Sequence, residues 1–343
     1  MSIELLRSHG QFLSLSRQSP ALFTAPFAFT LDNGTQVEIS APGIISFTPV
    51  SPKGKDIVLS SGVHGNETAP IEICDELVQA LLTETLTASH RVLFLFGNLP
   101  AMDLGERFVE ENMNRLFSGA HSSGPGLVNQ ERVRAKALEL AVGHFYRQGE
   151  KLGQTYRCHY DLHTAIRGSK NEKFAVYPFR HGQPWKKSQL QFLFACGVNT
   201  FLLSNSPTTT FSYFSSNEFG ADAFTVELGK VAPFGQNDMQ RFQQARDTLL
   251  ALISQEALSL PEYNPDAVLV YKINQIINRT QEDFRLNFAD DAPNFTDFPK
   301  GYLLAEETGA QYFAEQEGEA IVFPNAKVAL GQRALLTVVP TSI

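Results

Sequence analysis

The sequence has few cysteines and no pair of them suited to a metal site. The three cysteines, Cys74, Cys158 and Cys196, are an odd number and lie far apart, without a CxxC spacing. This usage is typical of free thiols in a reducing compartment and disfavours both a disulfide framework and a thiolate-bound metal. We therefore expect a cytoplasmic protein.

The chain also lacks long apolar runs and an excess of basic residues. No window approaches the roughly 20 apolar residues of a membrane-spanning helix, and residues 1–20 lack the cationic flank and apolar core of a secretion signal. With 28 lysines and arginines against 36 acidic residues, the net charge is −8. Such a chain offers no basic surface for a phosphate backbone, so neither nucleic acid nor a membrane is an expected partner.

The sequence does contain the pattern of a large α/β protein. Its 343 residues are 43% apolar and 19% charged, enough to bury a substantial core. From about residue 55, short β-branched or aromatic runs alternate with helical periodicity, which predicts a mixed, mostly parallel sheet flanked by helices. We predict three regions: an N-terminal segment (1–55) packed on a catalytic domain (56–258), and a smaller β-rich C-terminal domain (259–343).

The pattern also predicts individual elements. Strands are expected where short apolar runs are bounded by turn residues, at 56–63, 91–97, 156–163, 173–177, 200–203 and 223–228, and in the C-terminal region at 267–277, 284–288, 320–323 and 335–339. Helices are expected where apolar residues recur at helical spacing, after Thr68, at 130–148 with Gly149 closing the helix, and at 238–256. A loop rich in glycine and serine is expected at 118–126.

The first predicted strand leads into the segment GVHGNE, residues 62–67, just before a helix. His64 and Glu67 are three residues apart, so one turn can direct both side chains at a single point. Catalytic zinc is commonly held by three histidine and carboxylate ligands with a fourth position open, and such sites gather at the carboxyl ends of parallel strands. By itself, however, an HxxE pair is more often a solvated loop feature than a metal site.

The predicted strand at 156–163 supplies a third ligand. His159, Asp161 and His163 share one face of that strand, and His163 comes last before the chain turns. His163 is therefore the better candidate ligand, although His159 competes with it. Asp161 is an alternative as the acceptor that orients a ligand imidazole, and for both Asp161 and His159 we favour a structural role.

Glu227 is the candidate proton carrier. It lies in FTVELG, at the end of an apolar strand, where an unpaired carboxylate is costly to bury. Hydrolysis of an amide needs one carboxylate that takes a proton from water and returns it to the leaving amine. The alternative is a strand-end glutamate paired with Lys230 in solvent.

Four further polar residues are candidates for contacting an anionic substrate. The guanidinium group presents a planar fork that suits a carboxylate or a developing oxyanion, and an asparagine can donate beside it. The four residues are Arg107, Asn114, Arg115 and Arg167. For Arg107 and Arg167 the competing interpretation is that of surface cations, Arg107 because it lies among acidic residues and Arg167 because it lies in a loop.

Taken together, four segments in register resemble one known family. GVHGNETAPIE, NLPAMDLGERFVEENMNRLF, DLHTAIRGS and FTVELGKVAPFGQN are similar to segments of the succinylglutamate desuccinylases, relatives of the aspartoacylases within the zinc-carboxypeptidase-like superfamily. The resemblance runs from about residue 56 to 240. It implies one Zn²⁺ per chain held by His64, Glu67 and His163, with Glu227 as the catalytic acid and base. A protein that keeps zinc only for structure fits less well, because such sites are normally closed by four protein ligands.

The same resemblance implies a substrate, N-succinyl-L-glutamate, which would be hydrolysed to succinate and L-glutamate as the last step of the succinyl-transfer route of arginine breakdown in bacteria. Other N-acyl amino acid hydrolases, such as aspartoacylases, and carboxypeptidases are the alternatives. Arg107 would polarise the scissile carbonyl, while Asn114 and Arg115 would bind a carboxylate. Because the substrate carries three carboxylates, we expect Arg167 to contribute a further cation.

Two points stay open in the sequence. Asn112 stands where relatives usually have aspartate, which removes one acidic group beside Asn114 and Arg115. The sequence also does not decide between a monomer and a homodimer.

Overall fold

A computed structural model describes residues 2–124 and 128–343 of the chain. Residues 125 and 126, the last two of the loop predicted at 118–126, lie outside the described residues, as do Met1 and Leu127. None of the described helices combines the length and the apolar character that crossing a membrane requires.

The described residues form eight α-helices and five short 3₁₀ turns. The helices are α1 (Ser2–His9), α2 (Phe12–Gln18), α3 (Thr68–Leu82), α4 (Leu99–Leu104), α5 (Gln130–Lys151), α6 (Lys187–Ala195), α7 (Phe211–Phe219) and α8 (Gln243–Ser254). The 3₁₀ turns span Pro20–Phe23, Met113–Arg115, Ala120–Ser122, Met239–Phe242 and Pro265–Ala267.

Sixteen strands are formed by the described residues. Those up to residue 230 are β1 (Phe27–Thr30), β2 (Gln36–Ala41), β3 (Ile44–Thr48), β4 (Lys55–Ser61), β5 (Arg91–Phe96), β6 (Tyr156–Ala165), β7 (Phe174–Tyr177), β8 (Thr200–Leu203) and β9 (Asp222–Lys230). The later ones are β10 (Leu269–Asn278), β11 (Arg285–Leu286), β12 (Thr296–Phe298), β13 (Leu303–Glu307), β14 (Ala310–Phe313), β15 (Glu319–Val322) and β16 (Arg333–Pro340).

Thirteen strands join in one mixed sheet, in the order β1-β2-β3-β5-β4-β6-β9-β7-β8-β10-β16-β15-β12. The neighbours β5, β4, β6 and β9 at its centre are mutually parallel. The N-terminal strands add to one side in antiparallel fashion, and the C-terminal strands extend the other side beyond β10. Strands β11, β13 and β14 form a separate three-stranded sheet. The predicted mixed sheet and the β-rich C-terminal domain are therefore confirmed. The sheet as a whole is not mostly parallel, however, because the N-terminal and C-terminal strands add antiparallel pairs on both sides of the central part, where the parallel pairs are concentrated.

Helices cover both faces of the central strands. In β4, Ile57 and Leu59 pack into the apolar cluster that includes residues of α3, α6 and α8. Val58, between them in the chain, packs instead with residues of α5 and α7. Alternate residues of a strand point to opposite faces, so a strand covered on both sides is a continuous apolar run. Because helices pack on both faces, the central strands cannot slide along one another, and the positions of their carboxyl ends are fixed.

Two helix predictions were wrong in detail. Gly149 does not close α5, which continues to Lys151. At this position α5 lies against the buried ion pair between Asp56 Oδ1 and Arg91 Nη1, 2.6 Å apart, and a Cβ atom would overlap both side chains. The glycine therefore marks a close contact rather than a helix end. The helix predicted at 238–256 begins with a 3₁₀ turn, because the Asp238 side chain accepts a hydrogen bond from the Gln240 amide.

The N-terminal segment contains strands that the sequence pattern did not reveal. Strands β1 to β3 lie within residues 1–55 and continue the main sheet through the antiparallel contact of β3 with β5. Strands β12, β13 and β14 in the C-terminal domain were also missed. These strands are short, of three to six residues. Strands β1, β12 and β14 contain no buried side chain, so their sequence differs little from that of a loop. Strands β2, β3 and β13 do bury apolar residues, and the alternation of Val37 and Ile39 in β2 was an overlooked signal. The boundaries of the three regions stay predictions.

The contact of Gly149 with the ion pair leads to a stability prediction. Gly149→Ala is expected to lower the free energy of unfolding by about 2 kcal/mol or more, because the added methyl group must displace a buried charge pair. Gly143→Ala, in the same helix, meets only the end of Arg147 and the edge of Phe219 and serves as the control. Urea unfolding of both variants measures the difference. A Gly149→Ala protein as stable as the control would contradict this interpretation of the close contact.

Candidate metal centre

The candidate site lies at the carboxyl ends of three central strands. His64 and Glu67 follow β4, His163 lies near the end of β6, and Glu227 lies near the end of β9. His163 and Glu227 are direct neighbours in the parallel register of β6 and β9. The sheet thus brings together residues that are far apart in sequence, at the edge where α/β proteins bind ligands.

Two glycines shape the turn that carries His64 and Glu67. Gly62 has a φ of +65°, a conformation that glycine adopts at little cost. At Gly65 a Cβ atom would overlap the backbone of Ala101 in α4, so only glycine allows this approach. The Gly65 amide donates to the carbonyl of Arg107 at 3.1 Å. The turn and the Arg107 loop are therefore held together by main-chain atoms.

The three predicted ligands meet in one buried cluster. His64 Nδ1 lies 2.8 Å from Glu67 Oε1, and His163 Nδ1 lies 2.8 Å from Glu67 Oε2. One ligand atom from each of the three residues lies within 4.8 Å of the others. All three residues are at most 3% exposed. Two imidazole nitrogens and a carboxylate in a buried cluster are a donor set that suits a divalent metal ion.

Hydrogen bonds on the far side of each ring fix the orientation of the two imidazoles. His64 Nε2 is 2.9 Å from Asn112 Oδ1, and His163 Nε2 is 2.8 Å from Asp161 Oδ2. Both acceptors favour a proton on Nε2. Neutral His64 then directs its Nδ1 lone pair at Glu67, whereas protonated His163 also donates from Nδ1 to Glu67. Such outer partners are a regular feature of metal-binding histidines because they set the tautomer and the ring angle.

The charges in the cluster are arranged to suit a cation. Burial lowers the pKa of His64 to about 4, and the charge of Arg107 acts in the same direction, so this ring is neutral at pH 7. Burial alone would raise the pKa of Glu67, but the charges of His64, His163 and Arg107 hold it well below its usual range. Burial lowers the pKa of His163 while Asp161 and Glu67 raise it, with a net rise. A metal ion at Nδ1 would compete with that proton.

A chain of buried hydrogen bonds lies behind Asp161. Ser60 Oγ donates to Asp161 Oδ1 at 2.5 Å and lies 2.7 Å from His159 Nε2, while His159 Nδ1 lies 2.7 Å from Ser215 Oγ. Since Ser60 gives its proton to Asp161, His159 must donate to Ser60 through Nε2. Both ring nitrogens of His159 are therefore used by serines, and it is not placed to act as a ligand.

Glu227 is buried beside the cluster. It is 6% exposed, and its Oε2 atom is buried without a hydrogen-bond partner among the described residues. Burial, followed by the charge of Glu67, raises the pKa of Glu227 to about 7, against the smaller lowering effects of His163 and Arg107. The alternative of a solvated pair with Lys230 does not describe this environment. A carboxyl group that titrates near neutrality suits both acceptance and release of a proton.

Arg107 and the Met113–Arg115 turn contain three of the predicted substrate contacts, Arg107, Asn114 and Arg115. Arg107 Nη1 donates to Glu67 Oε1 at 2.6 Å, and its side chain is 32% exposed. Asn114 Oδ1 accepts from the Phe211 amide at 3.2 Å, and its NH₂ group is the part that can donate to a carboxylate. Arg115 Nη1 donates to the Asn114 carbonyl at 2.8 Å. Burial lowers the pKa of Arg115 to about 10, and the nearby charge of Arg107 contributes.

Arg167 lies against the C-terminal domain. Its Nη1 donates to the carbonyl of Ala292 at 3.0 Å and its Nη2 to the carbonyl of Pro324 at 3.2 Å. The guanidinium group thus connects the end of β6 to two loops of that domain. Its role in substrate binding stays a prediction.

Sequence reasoning missed Asn112 as a partner of His64. The residue was noted only as the replacement of an acidic group, whereas its side chain contacts His64 across 48 positions and also accepts from the Asn114 amide at 3.1 Å. The sequence did contain a signal for Asn112, because this residue lies in the same short motif as Asn114 and Arg115.

Comparison with known proteins gives matches over almost the whole chain. Residues 53–253 match the model of a succinylglutamate desuccinylase/aspartoacylase catalytic domain, and residues 266–341 match that of an AstE/AspA barrel-sandwich hybrid domain. The succinylglutamate desuccinylase of Pseudoalteromonas atlantica is 61% identical over 342 residues, which are 99% of this chain and 97% of that protein.

Solved structures of proteins with the same name have a similar fold. The crystal structure of the succinylglutamate desuccinylase from Chromobacterium violaceum has 38% sequence identity and a TM-score of 0.83, over 97% of this chain and 98% of that chain. The structure of the Vibrio parahaemolyticus protein of that name has 34% identity and a TM-score of 0.86, over 96% and 95% of the two chains. This chain therefore belongs to the succinylglutamate desuccinylase/aspartoacylase family and is an enzyme that hydrolyses an amide bond.

Proposed function

We propose that the chain hydrolyses N-succinyl-L-glutamate to succinate and L-glutamate, using one Zn²⁺ held by His64, Glu67 and His163. The observation that carries the proposal is the buried Glu67 carboxylate between two Nδ1 atoms, with Glu227 as the cross-strand neighbour of the ligand His163. The choice of acyl group is supported by the name of the Pseudoalteromonas relative, which is similar along its whole length.

The donor set fits zinc. Two imidazoles and one carboxylate are the ligands of many catalytic zinc sites, which keep a further position open for water or substrate. When bound, zinc would supply Lewis-acid polarisation of the amide carbonyl and would lower the pKa of water. The orientation of both rings by Asn112 and Asp161 prepares the site for the ion before it binds.

Glu227 and Arg107 would perform the proton and charge steps. Glu227 takes a proton from the attacking water and later delivers it to the amide nitrogen of the departing glutamate, a double role that a pKa near neutrality allows. Arg107 donates to the carbonyl oxygen as negative charge develops there. One of its donors is bound to Glu67, and a guanidinium group has five, so others are left for the substrate.

The substrate carboxylates would be bound by Asn114, Arg115 and Arg167. Asn114 would donate through its NH₂ group, and Arg115 through the donors not used by the Asn114 carbonyl. Arg167 would have to share or break its bonds to the carbonyls of Ala292 and Pro324 in order to take part. The overall charge of −8 makes these local cations necessary for an anionic substrate.

The cellular setting is part of the same proposal. All three cysteines are free and buried, which supports a reducing compartment such as the cytoplasm. There the reaction would be the last step of the succinyl-transfer route of arginine breakdown.

A substrate panel tests the function. With zinc-loaded enzyme, kcat/KM is expected to be at least about 100-fold higher for N-succinyl-L-glutamate than for N-acetyl-L-glutamate, N-acetyl-L-aspartate or a dipeptide ending in glutamate, because unpaired cations in the pocket penalise a missing carboxylate. Release of the amine is measured for each compound. Highest activity on N-acetyl-L-aspartate would show an aspartoacylase instead, and highest activity on the dipeptide a carboxypeptidase.

Replacement of the proton carrier separates catalysis from metal binding. Glu227→Gln is expected to lower kcat by about 10²- to 10⁴-fold, because the amide cannot accept the proton of water. Zinc content is expected to stay near one per chain, since Glu227 is not among the ligands. Glu218→Gln, an exposed residue of α7, is the control. Wild-type kcat in the Glu227 variant would refute this role.

The partner of His64 leads to a prediction for metal affinity. Asn112→Leu is expected to weaken zinc binding by about 10- to 100-fold, because His64 Nε2 loses the acceptor that sets its tautomer. Asn112→Asp keeps the acceptor and is expected to bind zinc at least as tightly as the wild type. Competition with a chromophoric chelator measures both affinities. Equal affinities of the leucine variant and the wild type would show that the contact does not orient His64.

A further inference from the structure

A chain of hydrogen bonds connects helix α7 to Asp161, the partner of the candidate ligand His163. Ser215 Oγ in α7 lies 2.7 Å from His159 Nδ1, and His159 Nε2 lies 2.7 Å from Ser60 Oγ. Ser60 Oγ donates to Asp161 Oδ1 at 2.5 Å, and Asp161 Oδ2 lies 2.8 Å from His163 Nε2. Side chains from α7, β4 and β6 are thereby joined in one line that ends at the candidate metal centre.

The donors of this chain all point toward Asp161. A carboxylate can only accept, so the Ser60 hydroxyl proton is directed at Asp161, and His159 Nε2 must donate to the Ser60 oxygen. Burial lowers the pKa of His159 to about 4, so the ring is neutral at pH 7 and its Nδ1 atom can only accept. Ser215 therefore donates to His159. Each bond fixes the direction of the next one.

The chain lies in the interior, where apolar side chains would also pack. Ser60, His159, Asp161 and Ser215 are fully buried, and every polar atom of these side chains has a partner. The His159 ring packs edge-on against the Phe211 ring, with 4.6 Å between centroids. Burial of polar groups is costly unless all of their hydrogen bonds are made, and apolar residues avoid that cost. A complete polar chain that ends at the acceptor of a candidate ligand points to a role in the metal centre.

We propose that His159 is a positioning residue of the metal centre that acts through Ser60. By donating to the Ser60 oxygen, His159 directs the hydroxyl proton at Asp161, and the anchored Asp161 carboxylate orients the ligand ring of His163. The proposal rests on the proposed function and concerns the same metal site. Without the His159 donor, the Ser60 hydroxyl is free to turn away from Asp161. A carboxylate that is less firmly held orients a ligand imidazole less well.

Two amide substitutions separate the bond to Ser60 from the bond to Ser215. His159→Gln has an amide nitrogen near the position of Nε2 and can still donate to Ser60. His159→Asn is one methylene group shorter and reaches only toward Ser215. Competition with a chromophoric chelator measures the zinc dissociation constants. We expect His159→Asn to bind zinc about 10-fold more weakly than the wild type, and His159→Gln to stay within about threefold of it.

Ser212 provides a matched control. It is a buried serine of α7, like Ser215, and it contacts the sheet through Thr225 Oγ1 at 2.8 Å. Ser212→Ala removes a buried hydrogen bond of the same helix but leaves the chain to Asp161 intact, so its zinc affinity is expected to equal that of the wild type. Melting temperatures of the metal-free variants are measured in parallel. A purely structural role of His159 would lower the melting temperature without changing zinc affinity.

A double substitution tests whether His159 acts through Ser60. Ser60→Ala alone is expected to weaken zinc binding about 10-fold, because Asp161 loses the bond that anchors it. Addition of His159→Asn to this variant is expected to weaken binding by less than about threefold more, since the connection is already broken. A further loss of about 10-fold would overturn the proposal, because independent effects multiply in this way.

The remaining outcomes separate the inference from the proposed function. If His159→Asn binds zinc as tightly as the wild type, or if the asparagine and glutamine variants lose affinity equally, the inference is overturned while the proposed metal site stands. A wild type that binds no zinc would refute the proposed function itself. Should His159→Asn not fold, Ser215→Ala decides the question. It is expected to bind zinc at least about threefold more weakly than Ser212→Ala, because His159 loses the donor that sets its tautomer, and equal affinities overturn the proposal.

Discussion

The carboxylate of Glu67 is the group on which the rest of the site depends. It is buried, it lies 2.8 Å from Nδ1 of both His64 and His163, and it accepts a hydrogen bond from Arg107 and another from the Thr164 amide at 3.1 Å. A buried carboxylate without such partners would be unstable in its charged form. Arg107 and protonated His163 therefore have two roles, because they keep Glu67 ionised and also lie where a polarised carbonyl or a metal ion needs them, while neutral His64 is placed to bind the ion.

The fold makes this arrangement possible by ending parallel strands side by side. Strands β4, β6 and β9 are adjacent, and both faces of the sheet are covered by helices, so their carboxyl ends cannot shift independently. Main-chain contacts at Gly65 then place the Arg107 loop over the same edge. The C-terminal domain continues the sheet through β10 and β16, and two of its loops accept hydrogen bonds from Arg167.

Much of the site could be predicted because local patterns carry it. His64 and Glu67 belong to one turn, His163 follows from strand alternation, and the buried position of Glu227 follows from an acidic residue in an apolar run. The motif that contains Asn114 and Arg115 pointed to Asn112 as a site residue, but its specific partner, His64, could not be assigned because that contact depends on which segments pack together. Gly149 was misjudged for the same reason: a glycine that ends a helix and one that admits a neighbouring ion pair look alike in a sequence.

The measurement that bears most directly on this account is the dependence of turnover on a bound metal ion. The purified protein should contain one zinc per chain, lose hydrolysis of N-succinyl-L-glutamate when a chelator removes the ion, and regain it on addition of one equivalent of zinc. His163→Ala should fail to regain it. Full turnover by metal-free protein would contradict the account, because hydrolysis would then not need a metal ion bound by the cluster around Glu67.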